Sequence, residues 1–184
     1  MIKVEKINKS FNQTNKILNN ISFYIDKGES VAIIGKSGTG KSVLLKHING
    51  LLRPESGNIW VDNVLLNESS FNKLQKIRKK MAMVFQFGAL FDSMSVYENI
   101  SFAIESLTDF SKNKIRDSIH NSLSLVNLDG IEDLKPSELS GGMKKRVAIA
   151  RAIALNPEYI LYDEPTTGLD PIMTDSINKL ITKF

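Results

Sequence analysis

The stretch "GKSGTGKS", residues 35–42, matches the pattern G-x-x-x-x-G-K-[ST] and lies between an apolar run and a helical run. Glycines here allow backbone N–H groups to curl around phosphate oxygens, and the positive end of a helix dipole adds to the same place. Lys41 supplies a positive charge to the β- and γ-phosphates, and the Ser42 hydroxyl can bind Mg²⁺. The alternative is a glycine-rich turn that only caps a helix. We interpret the stretch as a nucleoside triphosphate site. Its residues are Gly35, Lys36, Ser37, Gly38, Thr39, Gly40, Lys41 and Ser42.

The runs around this loop alternate between strand and helix patterns. "IKVEKI" and "ISFYID" predict N-terminal strands, and the apolar "SVAIIG" directly before the loop predicts a buried parallel strand. A helix, "KSVLLKHING", follows the loop and ends at Gly50. "MAMVF" and "YILYD" are further candidates for buried strands. Strands that alternate with helices favour an α/β domain with a parallel sheet.

Helical patterns interrupt and follow these strands. Ser111 is a candidate N-cap for a helix with one apolar face. That face is formed by Ile115, Ile119, Leu123 and Val126. "LSGG" opens another helix, which is expected to end at Asn156-Pro157. A last helix places apolar residues on one side, and these are Ile177, Leu180, Ile181 and Phe184.

The composition is ordinary for a soluble globular protein, with 42% apolar and 24% charged residues among 184. No apolar run is long enough to span a bilayer, and the N-terminus has no signal-peptide core. Because cysteine is absent, disulfides and thiolate metal sites are excluded, in agreement with a cytosolic address. The densest basic stretch, residues 73–80, could bind nucleic acid or lipid headgroups. We favour a solvated helix face there, and no aromatic residues interleave with its charges.

"YILYDE", residues 159–164, is an apolar run that ends in two acids. Asp163 at the tip of a parallel strand can hold Mg²⁺, because ligands bind at the carboxyl ends of strands in open α/β sheets. Glu164 can polarise a water for in-line attack on the γ-phosphate. Two solvated acids before a turn at Pro165 are the alternative.

The order of motifs resembles that of ATP-binding cassette (ABC) ATPases. The phosphate loop is followed by "MVFQ", "LSGG", "YILYDE" and "TTGLDP", and the resemblance covers essentially the whole chain. It implies that Phe11 stacks on adenine, and that Gln86 touches Mg²⁺ and the attacking water and signals to a transmembrane partner. It also implies that Asp170 crosses a dimer interface. The catalytic residues it implies are Glu164, Lys41 and Gln86, and the metal-binding residues are Ser42, Gln86 and Asp163.

The same resemblance implies a head-to-tail homodimer with two-fold symmetry. Ser140, Gly141 and Gly142 of one subunit, with the start of their helix, would then donate to the γ-phosphate of ATP held by the other. A plain N-cap role for Ser140 is compatible with this arrangement.

Two stretches are similar to the ATPases of Mla-type phospholipid-trafficking importers, which work with MCE-domain lipid carriers. These are "VFQFGALFDSMSVYENI" and the segment from "LSGGM" to "TTGLDPI". The resemblance implies transmembrane permease partners, an MCE-domain partner, no nucleic acid, and a peripheral position at the cytoplasmic face of the bacterial inner membrane.

The fold implied is a single P-loop NTPase domain of the α/β class over residues 1–184, with N-terminal antiparallel strands, a parallel core sheet and a helical subdomain at about 88–155. The family's switch histidine has no counterpart, since His47 and His120 lie elsewhere and are interpreted as surface or half-buried residues. The resemblance places the core strand that carries that histidine between the "SVAIIG" and "YILYD" strands, and we expect this strand to be missing. We therefore expect a cassette that is incomplete at the C-terminus, with Ile177, Leu180 and Phe184 exposed.

Three functions follow from these patterns. The first is an ATP-hydrolysing, energy-coupling subunit of a lipid transporter. The second is a truncated, ATP-binding but hydrolytically impaired remnant or regulatory fragment, because of the missing strand and histidine. The third is a DNA-repair or chromosome-type ABC ATPase. It is disfavoured because only 98 positions without heptads separate Lys41 from Ser140, where that class has a long coiled coil.

Overall fold

The computed structural model describes residues 1–12 and 15–184, and these form two compact units, Met1–Lys80 and Met81–Phe184. The first unit contains β1 (Ile2–Asn12), β2 (Asn15–Ile25), α1 (Lys41–Ile48), β3 (Ser56–Val61), β4 (Val64–Leu65) and α2 (Phe71–Arg78). The second contains β5 (Met81–Val84), α3 (Val96–Leu107), α4 (Lys112–Leu125), α5 (Gly141–Ile153), β6 (Tyr159–Tyr162) and α6 (Pro171–Ile181). The α/β class and the N-terminal antiparallel strands are confirmed.

The first unit is built on an antiparallel sheet with the order β2-β1-β3-β4. Val4 pairs with Phe23 on one side and with Ile59 on the other, so alternate residues along β1 face the same way. The side chains on this inner face are buried, and they include Ile2, Val4, Ile7, Ile59 and Val61. Gly57 has a φ of 89°, and a Cβ there would collide with the carbonyl oxygens of Glu5 and Lys6. Only glycine fits this close approach of β3 to β1.

The basic stretch at the end of this unit is partly structural. The guanidinium of Arg78 donates to the carbonyl oxygens of Asn49 (3.3 Å) and Gly50 (2.7 Å), just beyond the end of α1. Lys80 lies 3.0 Å from a carboxylate oxygen of Asp62. Lys73, Lys76 and Lys79 are exposed.

The apolar segment before the phosphate loop differs from our prediction. Residues 29–36 form no strand, Val31 and Ile33 are exposed, and Ile34 is 94% exposed. The prediction of a buried parallel strand was wrong because a strand is buried only by neighbours on its ladder. Neither sheet among the described residues includes this segment.

The second unit has a parallel pair of strands and one large apolar core. β5 and β6 lie where the two strand patterns predicted strands, and they pair in parallel in the register Met81↔Tyr159 to Val84↔Tyr162. Ser111 caps α4, and the predicted apolar face of that helix is buried. Ile177 and Leu180 of α6 are buried in the same core, so the expectation that both are exposed was wrong. Phe184 is exposed, as expected.

His47 differs from its prediction as a surface or half-buried residue, because it is 0% exposed in the last turn of α1. Its Nδ1 lies 2.7 Å from the carbonyl oxygen of Val43, and Nε2 has no hydrogen-bond partner among the described residues. Burial lowers the pKa of His47 below its ordinary value, against the smaller opposing effects of the Val43 and Arg53 backbone groups. His120 is exposed and lies 3.8 Å from Glu132, as expected for a surface histidine.

We expect acid to destabilise the first unit through His47. The folded-state pKa is lowered, so the contribution to stability is present above the unfolded pKa of about 6.5 and is lost as the pH falls below that value. The free energy of unfolding should fall by up to about 1.4 kcal/mol per pH unit in this window. Urea unfolding followed by the fluorescence of Trp60, the single tryptophan, measures it. His47→Gln should reduce the dependence of the free energy of unfolding on pH. His120→Gln, at an exposed position, should leave this dependence unchanged. An unchanged slope in His47→Gln would contradict the assignment.

Candidate functional site

The predicted phosphate loop is an exposed turn that leads into α1. Gly40 is the N-cap of α1 with a φ of 96°, and a Cβ there would come within 2.8 Å of Ile17 Cγ2. Lys41 Nζ donates to the carbonyl oxygens of Gly35 (2.9 Å) and Lys36 (3.0 Å). The Thr39 hydroxyl also donates to the Lys36 carbonyl, at 2.8 Å. The lysine therefore folds back over its own loop, with the N–H groups of the first helical turn beside it.

Phe11, predicted to stack on adenine, lies near the end of β1 and is 55% exposed. The ammonium of Lys9 is 5.6 Å from the centroid of its ring. The ring is thus exposed with a cation over one of its faces, and its stacking on adenine stays a prediction.

A second group of predicted residues meets at the carboxyl ends of β5 and β6. Gln86 follows β5, and Asp163 and Glu164 follow β6. The strands continue to pair at this edge, since the Asp163 N–H donates to the carbonyl oxygen of Val84 at 2.9 Å. Asp163 is buried, whereas Gln86 and Glu164 are partly exposed. The parallel register therefore brings the three side chains to one edge, while their roles, which the resemblance to ABC ATPases implies, stay predictions.

Glu164 is held by two hydrogen bonds to the same carboxylate oxygen. The Gln86 amide Nε2 donates to Oε2 at 3.2 Å, and the Thr167 hydroxyl donates to it at 3.1 Å. Glu164 has a φ of 47°, in the left-handed region that glutamate rarely adopts. Strained backbone of this kind is concentrated at functional sites, where surrounding contacts maintain it.

Two cations of α5 that we did not predict anchor the loop after β5. Lys145 Nζ donates to the carbonyl oxygens of Gln86 (3.2 Å) and Thr167 (2.7 Å). The guanidinium of Arg151 donates to those of Gly88 (2.6 Å) and Ala89 (2.8 Å). Burial lowers the pKa of both side chains, and for Lys145 the Glu164 carboxylate acts in the opposite direction. The signal in the sequence was the four cations of the partly apolar helical stretch "KKRVAIAR", which include Lys145 and Arg151.

The residues predicted to act across a dimer interface lie at the starts of helices. Ser140 caps α5 by accepting from the Met143 N–H at 3.3 Å, and Gly142 is buried beneath the side chain of Met173. Asp170 caps α6 by accepting from the Met173 N–H at 2.9 Å. Ser140, Gly141 and Asp170 are exposed. The N-cap role of Ser140 is therefore present, and the interface role stays a prediction.

The donor set suits a hard cation held together with phosphate. The described residues contain no cluster of three or more histidine, cysteine or acidic side chains that could hold a metal alone. The predicted ligands Ser42, Gln86 and Asp163 supply oxygen atoms, which Mg²⁺ prefers, and Mg²⁺ usually takes its other ligands from water and substrate phosphates. Each of these residues, Ser42 in the first unit and Gln86 and Asp163 in the second, carries an oxygen of the kind that Mg²⁺ binds, and their joint role stays a prediction. Across the described part of the chain, no helix is both long and apolar enough to cross a membrane.

Comparison with known proteins identifies strong similarity. Residues 18–167 match the family described as ABC transporter. The probable ribonucleotide transport ATP-binding protein mkl of Mycobacterium leprae is 44% identical over 180 residues, 98% of this chain and 52% of the relative. The intermembrane phospholipid transport system ATP-binding protein MlaF of Haemophilus influenzae is 43% identical over 182 residues, 98% of this chain and 69% of the relative. The chain thus spans about half the length of the first of these relatives.

A solved structure gives the same result for the fold. The ATP-binding cassette MJ0796, in a dimeric post-hydrolysis state bound to ADP and Pi, is 34% identical with a TM-score of 0.90. The match covers 100% of this chain and 82% of that chain.

Tyr162, the residue before Asp163, leads to a prediction about stability. Its hydroxyl is buried without a hydrogen-bond partner among the described residues, and burial raises the pKa of Tyr162 to about 12. Because a buried unsatisfied hydroxyl destabilises the folded state, Tyr162→Phe should leave the free energy of unfolding unchanged or raise it by about 1 kcal/mol. Urea unfolding followed by circular dichroism measures this. Tyr24→Phe, at an exposed position, is the control and should change nothing. A loss of more than about 1 kcal/mol in Tyr162→Phe would mean that the hydroxyl has a partner.

Proposed function

Since this chain belongs to the ABC transporter family of ATP-binding proteins, we propose that it is the ATP-hydrolysing, energy-coupling subunit of a membrane transporter. One observation carries the proposal most directly. At the carboxyl ends of two paired parallel strands, Gln86 donates to the carboxylate of Glu164, beside the buried Asp163. This edge is where α/β sheets bind their ligands, and a carboxylate held in place is what a hydrolytic base requires.

ATP is the proposed nucleotide, held by residues 35–42. The Lys41 ammonium would exchange its bonds to the Gly35 and Lys36 carbonyls for phosphate oxygens, which are stronger acceptors because they are charged. Backbone N–H groups at the start of α1 would bind the remaining phosphate oxygens. The exposed ring of Phe11 would stack on the adenine.

The proposed Mg²⁺ ligands are the Ser42 hydroxyl, the Gln86 amide oxygen and the Asp163 carboxylate. When bound, Mg²⁺ would neutralise charge on the β- and γ-phosphates. Glu164 would accept the proton of the attacking water, and its two hydrogen bonds would fix which oxygen faces that water. Lys41 and Gln86 complete the proposed catalytic set.

A working site is proposed to need two copies of the chain. Ser140, Gly141 and Gly142 at the start of α5 would act on ATP bound by the partner, and Asp170 would lie at the interface between the copies. The support is that Ser140, Gly141 and Asp170 are exposed at helix starts, and that a similar cassette is dimeric with ADP and Pi.

The transported substrate is proposed to be a phospholipid or another hydrophobic molecule. The support is a relative, 43% identical, that is named for intermembrane phospholipid transport. A second relative, 44% identical, is named for ribonucleotide transport and does not support a lipid substrate. The partners would be transmembrane permease subunits and an MCE-domain lipid-binding protein. The chain would lie peripherally at the cytoplasmic face of a bacterial inner membrane.

Lys41→Ala is expected to weaken ATP binding by at least about tenfold, because it removes a charged group from the phosphates. Titration with a fluorescent ATP analogue in the presence of Mg²⁺ measures the affinity. Lys27→Ala is the matched control, since it removes the same charge from an exposed position outside the loop. Equal affinities in the two variants would contradict the role of Lys41.

Glu164→Gln is expected to lower single-turnover ATP hydrolysis by about 10²- to 10⁴-fold, since general base catalysis contributes that much. ATP binding should persist, and an ATP-bound dimer should accumulate in gel filtration. Glu105→Gln, at an exposed position, is the control. Unchanged hydrolysis in Glu164→Gln would rule out its role as the base. ATP binding with no hydrolysis in the parent chain or in either variant would support the alternative function, a hydrolytically impaired remnant.

A further inference from the structure

Lys145 lies where three segments of the second unit meet. It is in the first turns of α5, and its ammonium donates to Gln86 O at 3.2 Å and Thr167 O at 2.7 Å. One carbonyl belongs to the loop after β5 and the other to the loop after β6. An ammonium carries three donors and no acceptor, so it can serve both carbonyls at once.

The side chains of the same two residues hold the Glu164 carboxylate. Gln86 donates to Glu164 through its amide, and Thr167 donates through its hydroxyl. The four residues therefore form a closed ring, in which Lys145 binds the backbone of the residues whose side chains bind Glu164. Displacement of either backbone carbonyl would carry the corresponding donor away from the carboxylate.

Other contacts fix the loop after β5 more firmly than the loop after β6. Arg151, almost two turns further along α5, donates to the Gly88 and Ala89 carbonyls. The loop after β5 thus has anchors on α5 at both ends. The loop after β6 is anchored to α5 through the bond from the Lys145 ammonium to the Thr167 carbonyl. The effect of losing Lys145 should therefore concentrate at residues 164–169.

We propose that Lys145 is a positioning residue that fixes the Glu164 carboxylate relative to the start of α5, where Ser140–Gly142 lie. The inference rests on the proposed function, because it concerns the same hydrolytic site. Lys145 acts through Gln86 and Thr167 and is not a catalytic residue.

The test compares Lys145→Met, which keeps a long side chain without charge, with Lys145→Arg, whose guanidinium can still reach two carbonyls. Lys144→Met is the matched control, since it removes the same charge one residue earlier on another face of the helix. Hydrogen–deuterium exchange of the full chain reports on the amides of residues 86–89 and 164–169, with β3 as the internal reference. Single-turnover hydrolysis and ATP affinity are measured on the same samples.

We expect Lys145→Met to raise amide exchange at residues 164–169 by about tenfold or more, with β3 unchanged. Hydrolysis should slow by about tenfold or more, ATP affinity should change by less than about twofold, and Lys145→Arg should restore most of both losses. Exchange and hydrolysis equal to those of Lys144→Met would overturn the proposal. So would an equal rise of exchange in β3, or an equal loss of ATP affinity, because either would indicate a general structural role. If the parent chain hydrolyses no ATP, the proposed function fails, while the exchange comparison still decides the role of Lys145.

Discussion

The parallel pairing of β5 with β6 is the constraint on which the site in the second unit depends. Each strand has four residues, and the ladder continues to the Asp163 N–H, which donates to Val84. Because both strands run in the same direction, the chain leaves them at the same edge, with Gln86 on one side and Glu164 on the other. A slip of β5 by one residue would turn the buried Ala82 and Val84 towards the opposite face and move Gln86 away from Glu164.

Helix α5 holds in place the loops that follow β5 and β6. Its apolar residues Val147, Ile149 and Ala150 are buried in the core, and its cations reach out to backbone carbonyls of neighbouring loops. Arg146 adds a third such contact, 2.7 Å from the carbonyl oxygen of Val126 at the end of α4. Carbonyl groups beyond the ends of regular elements need donors, and long cationic side chains supply them from a distance. One helix therefore packs the core and satisfies the loops at the same time.

The sequence predicted local features well where one element determines them. The buried face of α4 follows from the spacing of Ile115, Ile119 and Leu123, and its start follows from Ser111, because periodicity and capping are local properties. The apolar runs before Gln86 and Asp163 predicted two strands, whereas a common location for Gln86 and Glu164 was implied only by the resemblance to ABC ATPases.

Features that depend on distant partners were not predictable. Residues 30–35 are apolar enough for a buried strand, yet burial depends on a ladder that composition does not encode. His47 is buried because the elements around α1 cover it, and no single-residue pattern reports this. Lys145 and Arg151 donate to the backbone carbonyls of Gln86 and Ala89, about 60 residues away along the chain. Every residue has a backbone carbonyl, so the residue types do not indicate which carbonyl a cation will bind.

The left-handed backbone of Glu164 has one more consequence, which concerns how the carboxylate can move. A φ of 47° costs a glutamate roughly 1–2 kcal/mol, an amount comparable to the two hydrogen bonds that its side chain accepts. The hydrogen bonds from Gln86 and Thr167 therefore help to keep the backbone of Glu164 in this unfavourable conformation. A group that displaced Gln86 and Thr167 from Oε2 would remove two of the contacts that oppose relaxation of this backbone to negative φ. Movement of the carboxylate and rotation of the peptide would therefore be coupled at this residue.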